Sequence, residues 1–418
     1  MEPSKPRPDA WTRPVQTDLP DLNGVAPGPK TAFSRDRLNV ALVSEYYYPD
    51  VGGMPEHVHH LGKTLCDRGH RVTVVTTVFP GQVDAPAVPY QIVRLGRACP
   101  PLLLNGSVCR AAVGLSLRAS LRRLFARERF SVIHLHAPIF PTLSLLAIAN
   151  APPETALVGT LHTHLTESRG LRLFRAPLQR YLDALDDVIA VSDTAAESLG
   201  RLGFRVNAEI IPNGVDLASW QAGRRDLQLR QDASFCLLAQ ARLEPRNRVE
   251  TVVSALRVRQ LEGRPARLWV LGEGPCRQKL QQRAAGLDVN FFGRVVEARK
   301  HFAASADAFC FTADLASFPM SLIEGMAAGL PVIAHPIPGV RELVTHRENG
   351  LLVPVGDVQA YAQAVGALQD NETLRRDLGQ AAQRRVAALD WSHIAARIEK
   401  RYERAMGNRN GHPGHGVS

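Results

Sequence analysis

Nowhere in its 418 residues does this chain carry an apolar run of the roughly 18 residues that a membrane-crossing helix needs. Its N-terminus lacks a basic stretch followed by an apolar one, so neither a span nor a secretory leader is expected. Cysteine is sparse. Cys66, Cys99, Cys109, Cys236, Cys276 and Cys310 form no Cys-x-x-Cys pair and no zinc-like spacing with histidine. That excludes a disulfide framework and a zinc module, and fits a reducing cytoplasm. Cys236 and Cys310 lie in apolar strand-like runs, where a thiol acts as a small hydrophobe. There is no Walker A motif and no well-placed Gly-x-Gly-x-x-Gly, which argues against a P-loop NTPase or an ordinary dehydrogenase. Positive charge is what the chain has in excess. Fifty Lys and Arg against 40 Asp and Glu leave +10 on a composition otherwise ordinary for a globular protein, 45% hydrophobic and 22% charged. Nucleic acid, an anionic membrane and phosphorylated small molecules all suit that excess, and composition does not choose among them.

Residues 1–35, rich in Pro, Asp, Arg and Thr without hydrophobic periodicity, read as a disordered leader, and 408–418 as a disordered tail. Between them, short β-rich runs alternate with helical patterns. LNVALV (38–43), RVTVVTTV (71–78), SVIHLH (131–136), ALVGTLH (156–162) and DDVIAVS (186–192) suit parallel strands buried on both faces. Met54, Val58, Leu61 and Leu65 recur at helical spacing between the first two, and Arg68-Gly69-His70 supplies a stop. A turn-rich break at 211–226 precedes a second series: SFCLLAQA (234–241), ARLWVLG (266–272), VNFFG (289–293), ADAFCFT (306–312) and LPVIA (330–334). The economical architecture is α/β: one Rossmann-like domain over 36–215, another over 216–390, and a last helix over 391–407. Trp391, Ile394 and Ile398 give that helix an apolar stripe for packing back on the first domain. Ligands of open parallel sheets sit beyond the strands' carboxyl ends, so two such domains facing each other define a cleft.

Gly52-Gly53 ends the first loop just before a helix, where backbone can approach a phosphate. Arg242 ends a strand in the second half, where a guanidinium can fork onto a diphosphate, and Arg246 and Arg248 follow it. Gly272-Glu273-Gly274-Pro275 and Gly293 are further strand-end turns. Glu324, at the start of a helix packed through Ala327, Ala328 and Gly329, offers a carboxylate for both hydroxyls of a ribose. Taken singly these residues have bland readings. Together, at successive strand ends, they favour a nucleotide diphosphate site. His57, His59 and His60 read as exposed or capping residues, with no convincing third ligand for a metal.

The ordered series GGMPEHVHHLGKTLCDRGHRVTVVT, VIHLHAP, TLHTH, IAVSDTAAESL, IPNGVD, ARLEPRNR, VLGEGP, FFGRV and SLIEGMAAGLPVIAHPIPGVRELV resembles retaining glycosyltransferases of family four, which have the GT-B fold. LNGSVCR (104–110), an Arg-rich helix and HLHAPIFPTLSLLAI bring it nearest in look to bacterial phosphatidylinositol mannosyltransferases. The resemblance implies that Gly52 and Gly53 lie by the donor diphosphate, that Arg242 holds it, and that His162 is the active-site histidine near the transferred sugar. It assigns the ribose to Glu324 and the base pocket to Gly293 through Val295. Phe318, Pro319, Met320 and Ser321 would approach the sugar and phosphate, and Asn105, Ser107 and Arg110 would grip the acceptor's inositol phosphate. His162, Arg242 and Glu324 are thus the implied catalytic set, with Arg246 and Arg248 as further donor contacts.

Two positions depart from the family pattern. The usual Arg-x4-Lys reads Arg242 to Asn247, and the usual Glu-x7-Glu reads Ala316 to Glu324. Arg246 or Arg248 is the available substitute for the lysine, and Asp314 for the sugar-gripping carboxylate. No Asp-x-Asp is present, so transfer without a metal or other cofactor is expected. Part of the basic excess falls in LRASLRRLFARER, as Arg118, Arg122, Arg123 and Arg127 interleaved with Leu and Phe. Another part surrounds Arg172 and Arg175. Such stretches suit an anionic lipid surface, whereas no nucleic-acid module accompanies them. The expectation is a cytoplasmic, peripherally membrane-associated hexosyltransferase. It would use a nucleotide-diphosphate sugar and a lipid acceptor, plausibly phosphatidylinositol. A catalytically silent GT-B protein that binds lipid or nucleotide is the alternative raised by Asn247 and Ala316.

Overall fold

Every residue of β1 (Asn39–Val43) is buried, as NVALV predicts for a strand covered on both faces. The computed structural model describes residues 37–48, 52–78, 87–99, 102–104, 107–109, 111–114, 116–139, 142–162, 169–226, 229, 234–296 and 298–411, with backbone alone at 102–104, 107–109, 169, 410 and 411. The leader assigned to 1–35 lies outside them.

After β1 come α1 (Gly53–Asp67), β2 (Arg71–Val78) and β3 (Gln91–Ala98), then the hairpin β4 (Leu102–Leu104) and β5 (Ser107–Cys109), and β6 (Ala112–Val113). The first half continues through α2 (Leu117–Glu128), β7 (Val132–His136), α3 (Leu143–Asn150), β8 (Ala156–Leu161), α4 (Arg169–Leu173) and α5 (Arg175–Asp183). It closes with β9 (Asp187–Ala190), α6 (Asp193–Arg201) and β10 (Glu209–Ile210), and α7 (Leu217–Gln221) leads into the second half. Its main sheet runs β10-β9-β8-β7-β1-β2-β3-β6 and is parallel except where β6 meets β3. The strand order reverses at β1, between β7 and β2, and the loop carrying Gly52 and Gly53 leaves from that switch point.

The second half begins with β11 (Cys236–Gln240), α8 (Val249–Leu261), β12 (Arg267–Leu271), α9 (Arg277–Arg283) and β13 (Val289–Gly293). It goes on through α10 (Arg299–Ser305), β14 (Ala308–Phe311), α11 (Met320–Ala327), β15 (Val332–Ala334), α12 (Pro338–Arg341), β16 (Leu351–Leu352), α13 (Val358–Asp370) and α14 (Glu372–Val386). Its sheet, β13-β12-β11-β14-β15-β16, is wholly parallel, and its switch point lies between β11 and β14. Arg242 follows β11 there. Asp314 and Ala316 follow β14.

The strand-end glycines are explained by the crossing of these loops. Gly272 has φ +143 and Gly274 φ +157, and a Cβ on either would collide with the carbonyl oxygen of Ala241 or Leu243 respectively. The close approach lets Ala241 N–H donate to Leu271 at 3.0 Å and Leu243 N–H to Glu273 at 2.8 Å. Cys236 and Cys310 are buried, and burial pushes the Cys310 thiol up to about 12, so it behaves as a hydrophobe.

The last helix, α15, spans Trp391–Gly411, so residues 408–411 belong to it and not to a disordered tail. Composition misled here because Gly-Asn-Arg-Asn is a poor helix former in isolation. Tertiary anchoring decides instead. Tyr402 and Ala405 are fully buried, Asn408 Nδ2 donates to the Asp186 carbonyl at 3.2 Å, and Arg409 Nε donates to that of Pro153 at 2.8 Å. Residues 412–418 lie outside the described set. Trp391, Ile394, Ile398 and Tyr402 share one apolar cluster with Val40, Leu42, Val58 and Leu61, so the final helix covers a face of the first sheet. The two halves are also joined directly. Thr194 Oγ1 donates to Glu342 Oε1 at 2.8 Å, Val215 N–H donates to Leu389 at 2.8 Å, and Leu199 and Phe204 lie in one core cluster with Leu322 and Val340.

Candidate active site

The first half contributes α1, which begins at Gly53. A Cβ there would sit 3.3 Å from Met320 Cγ, so the Gly52-Gly53 turn and the start of α11 lie against one another across the two halves. α11 begins at Met320 with Pro319 as its N-cap, which places Glu324 in its second turn and not at its start. The amides at the start of α11, those of Met320 and Ser321 (Pro319 has no N–H), thereby lie near the glycine turn, an arrangement that favours an anion.

Glu324 is buried and held from two sides. Gln240 Nε2 donates to Oε2 at 2.6 Å, and Arg299 Nη1 lies 3.2 Å from Oε1. The same guanidinium reaches the first half, with Nη2 at 3.3 Å from Glu56 Oε1. Tyr48 donates its hydroxyl to Glu56 at 2.9 Å, and His60 lies 3.6 Å from the other oxygen. Burial alone would raise the Glu56 carboxyl, but His60 and the Arg299 charge outweigh it and hold the group near 2. Burial dominates at Glu324 and pushes its carboxyl up against the pull of Arg299. Gln240, Arg299, Glu56 and Tyr48 escaped the sequence reading. Only Gln240, one polar residue at the end of an apolar strand, left a signal.

Arg299 is therefore expected to be a strong determinant of stability. Arg299→Met strands two buried carboxylates, a change of the kind that costs about 3–5 kcal/mol. Because protonating Glu56 and Glu324 relieves the strain, the loss measured by denaturant titration should be larger at pH 7 than at pH 4. An equal loss at both would show that the charges are not the cause.

The loop after β11 is tied to the loop after β14. Thr312 Oγ1 donates to the Asn247 carbonyl at 2.8 Å, Asp314 N–H donates to that of Arg246 at 2.9 Å, and Arg248 Nε donates to Asp314 Oδ2 at 2.9 Å. Both family departures, Asn247 and Ala316, thus lie in adjoining loops, and an Arg248–Asp314 ion pair stands beside them. Arg242 and Arg246 pair with Glu244, at 3.6 and 3.1 Å, and not with Glu324. Gly293, at φ +72, closes β13, where a Cβ would approach Glu273 Oε1 to 2.7 Å, and Val295 packs on the core beyond it.

A histidine cluster forms the floor of the first half's site. Two-residue periodicity puts His134 and His136 on one face of β7, and His162 follows β8. His136 Nδ1 and His162 Nε2 share a hydrogen bond at 2.9 Å. His57, one turn into α1, is buried and shares a 2.8 Å hydrogen bond with Asn213 Oδ1. His59 lies 2.9 Å from the Tyr90 hydroxyl, and His60 stacks on Trp391 at 5.9 Å. His57 is thus an interior residue, and His59 and His60 are half-buried and packed on Tyr90 and Trp391, which corrects their reading as exposed or capping residues. The missing third ligand is corrected too. His57, His136 and His162 bring nitrogens within 4.8 Å of one another, and the buried Nε2 atoms of His57 and His136 have no partner among the described residues. Neutral imidazoles so placed are able to hold a transition-metal ion.

Burial keeps the cluster uncharged. It lowers His57 and His59 to about 4 and His134 to about 3, and pushes His136 and His162 well below the usual histidine value. The unfolded chain takes up protons near pH 6.5 that the native state refuses, so stability falls as pH drops from about 6.5 toward 4. Glu45, raised by burial to about 7, works in the opposite direction, as do Glu324 and Asp186, which burial also raises, but they are three carboxyls against six histidines once His335, likewise lowered by burial, is counted. Denaturation midpoints should fall between pH 7 and pH 5. Midpoints that held steady would contradict a neutral cluster.

Of the residues implied for the acceptor, Asn105 and Arg110 lie outside the described residues, and Ser107 opens β5 with only its backbone described. The arginines implied for a membrane surface fall on two elements. Arg118, Arg122, Arg123 and Arg127 stand exposed on α2, whose Leu117, Leu121, Leu124 and Phe125 are buried. Arg172 and Arg175 are exposed on α4 and α5.

Two doubly wound parallel sheets, with a glycine turn of one set against a helix N-terminus and a buried carboxylate of the other, define a glycosyltransferase of GT-B architecture. Residues 51–219 match the family described as Glycosyltransferase Family 4, and residues 225–385 match Glycosyl transferases group 1. The chain is 32% identical over 379 residues to the phosphatidyl-myo-inositol mannosyltransferase of Mycolicibacterium smegmatis, covering 88% of this chain and 95% of that one. Against the Mycobacterium tuberculosis protein of the same name the identity is 34% over 384 residues, covering 89% and 98%. Among solved structures, sucrose-phosphate synthase from Thermosynechococcus elongatus aligns with a TM-score of 0.70 at 22% identity, covering 89% of this chain and all of that one. Anabaena HepE in complex with UDP and glucose aligns at 0.69 and 19%, covering 88% and 99%. This chain belongs to glycosyltransferase family 4 and is a glycosyltransferase. The catalytically silent alternative finds no support, since these relatives are named as transferases.

Proposed function

We propose that this enzyme moves mannose from a nucleoside-diphosphate sugar to phosphatidylinositol at a membrane surface, with retention at the anomeric carbon. The observation that carries the reading is the 32–34% identity, over nearly the whole chain, to proteins named for that acceptor and that sugar. A more distant relative at 25% identity is named as GDP-mannose-dependent.

In this reading the donor's ribose diol donates to Glu324, and its diphosphate lies between the Gly52-Gly53 turn and the amides at the start of α11. Arg242 supports the diphosphate as it leaves, and Arg246 stands behind it. The inositol hydroxyl oxygen bonds to the anomeric carbon on the face from which the diphosphate departs, and the hydroxyl proton passes to the leaving phosphate oxygen. His162, neutral and oriented by His136, hydrogen-bonds to the sugar. Retention then needs no protein nucleophile, and negative charge developing on the diphosphate is met by fixed dipoles and arginines. Base contacts fall to Gly293 and Val295, and the inositol phosphate to Asn105, Ser107 and Arg110. The Arg248–Asp314 pair serves where the family's lysine and first glutamate would stand.

The test incubates the protein with a panel of nucleotide sugars and vesicles containing phosphatidylinositol. Mannose should appear on the lipid. Nucleotide binding with neither transfer nor donor hydrolysis across the panel would overturn the reading. A narrower experiment restores the family residues with Asn247→Lys and Ala316→Glu. Activity should fall severalfold, because the new charges would compete for Asp314 and Arg248; a rise would mean that the ion pair is no substitute.

A further inference from the structure

We propose that the α4–α5 corner is a membrane wedge, with Leu173 and Phe174 entering the acyl boundary of an anionic bilayer while arginines around them meet lipid phosphates. This deepens the membrane-acting reading above and rests on it. Leu173 is 77% exposed and Phe174 59%. Among the described residues, no other two large, exposed apolar side chains are neighbours in sequence. Arg172 precedes them and Arg175 follows, and the run from Arg172 through Pro177 is exposed throughout.

The corner is firmly mounted. Leu182 and Gln179 on α5 are buried, with Gln179 Nε2 donating to the Arg205 carbonyl at 3.0 Å and its Oε1 accepting from the Arg205 N–H at 2.9 Å. Arg175 Nη1 donates to the Gly203 carbonyl at 3.0 Å. The apolar pair is therefore held outward from a fixed helix, not left on a fraying end.

Charge selects the occupant. From Arg169 through Leu182 the sequence carries four arginines and no acidic residue. A second copy of the chain bringing the same corner would meet like charge, whereas an anionic headgroup layer is complementary to it. An apolar tip inside a basic ring is the arrangement of an interfacial anchor. The α2 helix differs. Its Leu117, Leu121, Leu124 and Phe125 already lie in the core, so without unpacking it offers a bilayer only its exposed arginines. The two basic stretches thus divide the work: α2 attracts and the α4–α5 corner inserts.

The experiment floats the full chain with vesicles of phosphatidylcholine plus phosphatidylinositol, and with phosphatidylcholine alone. The doubly substituted Leu173→Ser, Phe174→Ser chain should bind the anionic vesicles at least about 10-fold more weakly than wild type. Its nucleoside diphosphate binding in vesicle-free solution should be unchanged, which also reports that it folds. In a Phe174→Trp chain, emission should shift to the blue with anionic vesicles. Wild-type-like binding by the serine variant, or a tryptophan whose emission does not move, would overturn the wedge while leaving the lipid-acceptor reading intact. Failure of the wild type to bind phosphatidylinositol vesicles at all would overturn both. Dimers of the wild type that the serine variant loses would assign the corner to self-association instead.

Discussion

Glu324→Gln is expected to weaken nucleoside diphosphate binding about 10–100-fold and sugar transfer at least as much, with the fold intact. The carboxylate is buried, and Gln240 and Arg299 fix its orientation. A vicinal diol donates two hydrogen bonds to such a group, and charge-assisted bonds are worth about 1.5–3 kcal/mol. Glutamine has the same shape but only one acceptor oxygen and no charge. Arg299 keeps Glu56, so the substitution does not strand the guanidinium. Calorimetric titration with a nucleoside diphosphate and its 2′-deoxy analogue separates the causes. Wild type should prefer the diol, and the variant should lose that preference. Unchanged affinity with the preference retained would remove Glu324 from the donor site.

A large loss of stability is also expected from Gly272→Ala. At φ +143 an L side chain is strained, and its Cβ would overlap the Ala241 carbonyl oxygen, a backbone atom that cannot step aside alone. The contact lies where β11 and β12 end, beside the bond from Gly272 N–H to the Gly293 carbonyl at 2.7 Å. Opening it disturbs three strand ends together, and a loss of about 4 kcal/mol is expected, enough to lower the melting temperature by about 5 °C. Gly286→Ala is the control. That residue also has positive φ, at +76, but open space around it, so it should cost only about 1 kcal/mol. Equal losses at the two positions would show that the dihedral alone is responsible.

The elements most legible in the sequence were those buried on both faces. RVTVVTTV became β2 with the same bounds, because a continuous apolar run needs no partner to be recognised, and VNFFG became β13 with the same bounds although Asn290 and Phe292 of that edge strand are exposed. QIVRLGRA did not stand out, since β3 is half-buried and carries two arginines. The hairpin of β4 and β5 and the two-residue β6 were too short to show a period. The last helix ran past its apparent end because its anchors, Asp186 and Pro153, are more than 200 residues away in sequence. Reading residues along the chain cannot supply such a contact.

The candidate site divides in the same way. Glycines and charged residues at strand ends announced themselves, and Gly52, Gly53 and Arg242 among them lie at the switch points of the two sheets. What the sequence concealed was pairing across elements. Arg299 stands in an ordinary basic stretch, yet it joins Glu56 of the first half to Glu324 of the second. His57, His136 and His162 come from a helix, a strand and the residue just past another strand, and only the parallel alignment of β7 and β8, with α1 laid over them, makes them neighbours. Arg248 and Asp314 were visible as candidates, and their ion pair became visible only when the loops after β11 and β14 were seen to adjoin.

The most direct measurement of the central claim is the anomeric configuration of the glycolipid formed from an α-linked nucleotide sugar and phosphatidylinositol vesicles, read from the one-bond carbon–hydrogen coupling at the new linkage. Retention gives an α-mannosyl inositol phospholipid, which is the result the account predicts. A β-linked product, or donor consumed without any glycolipid formed, would contradict it.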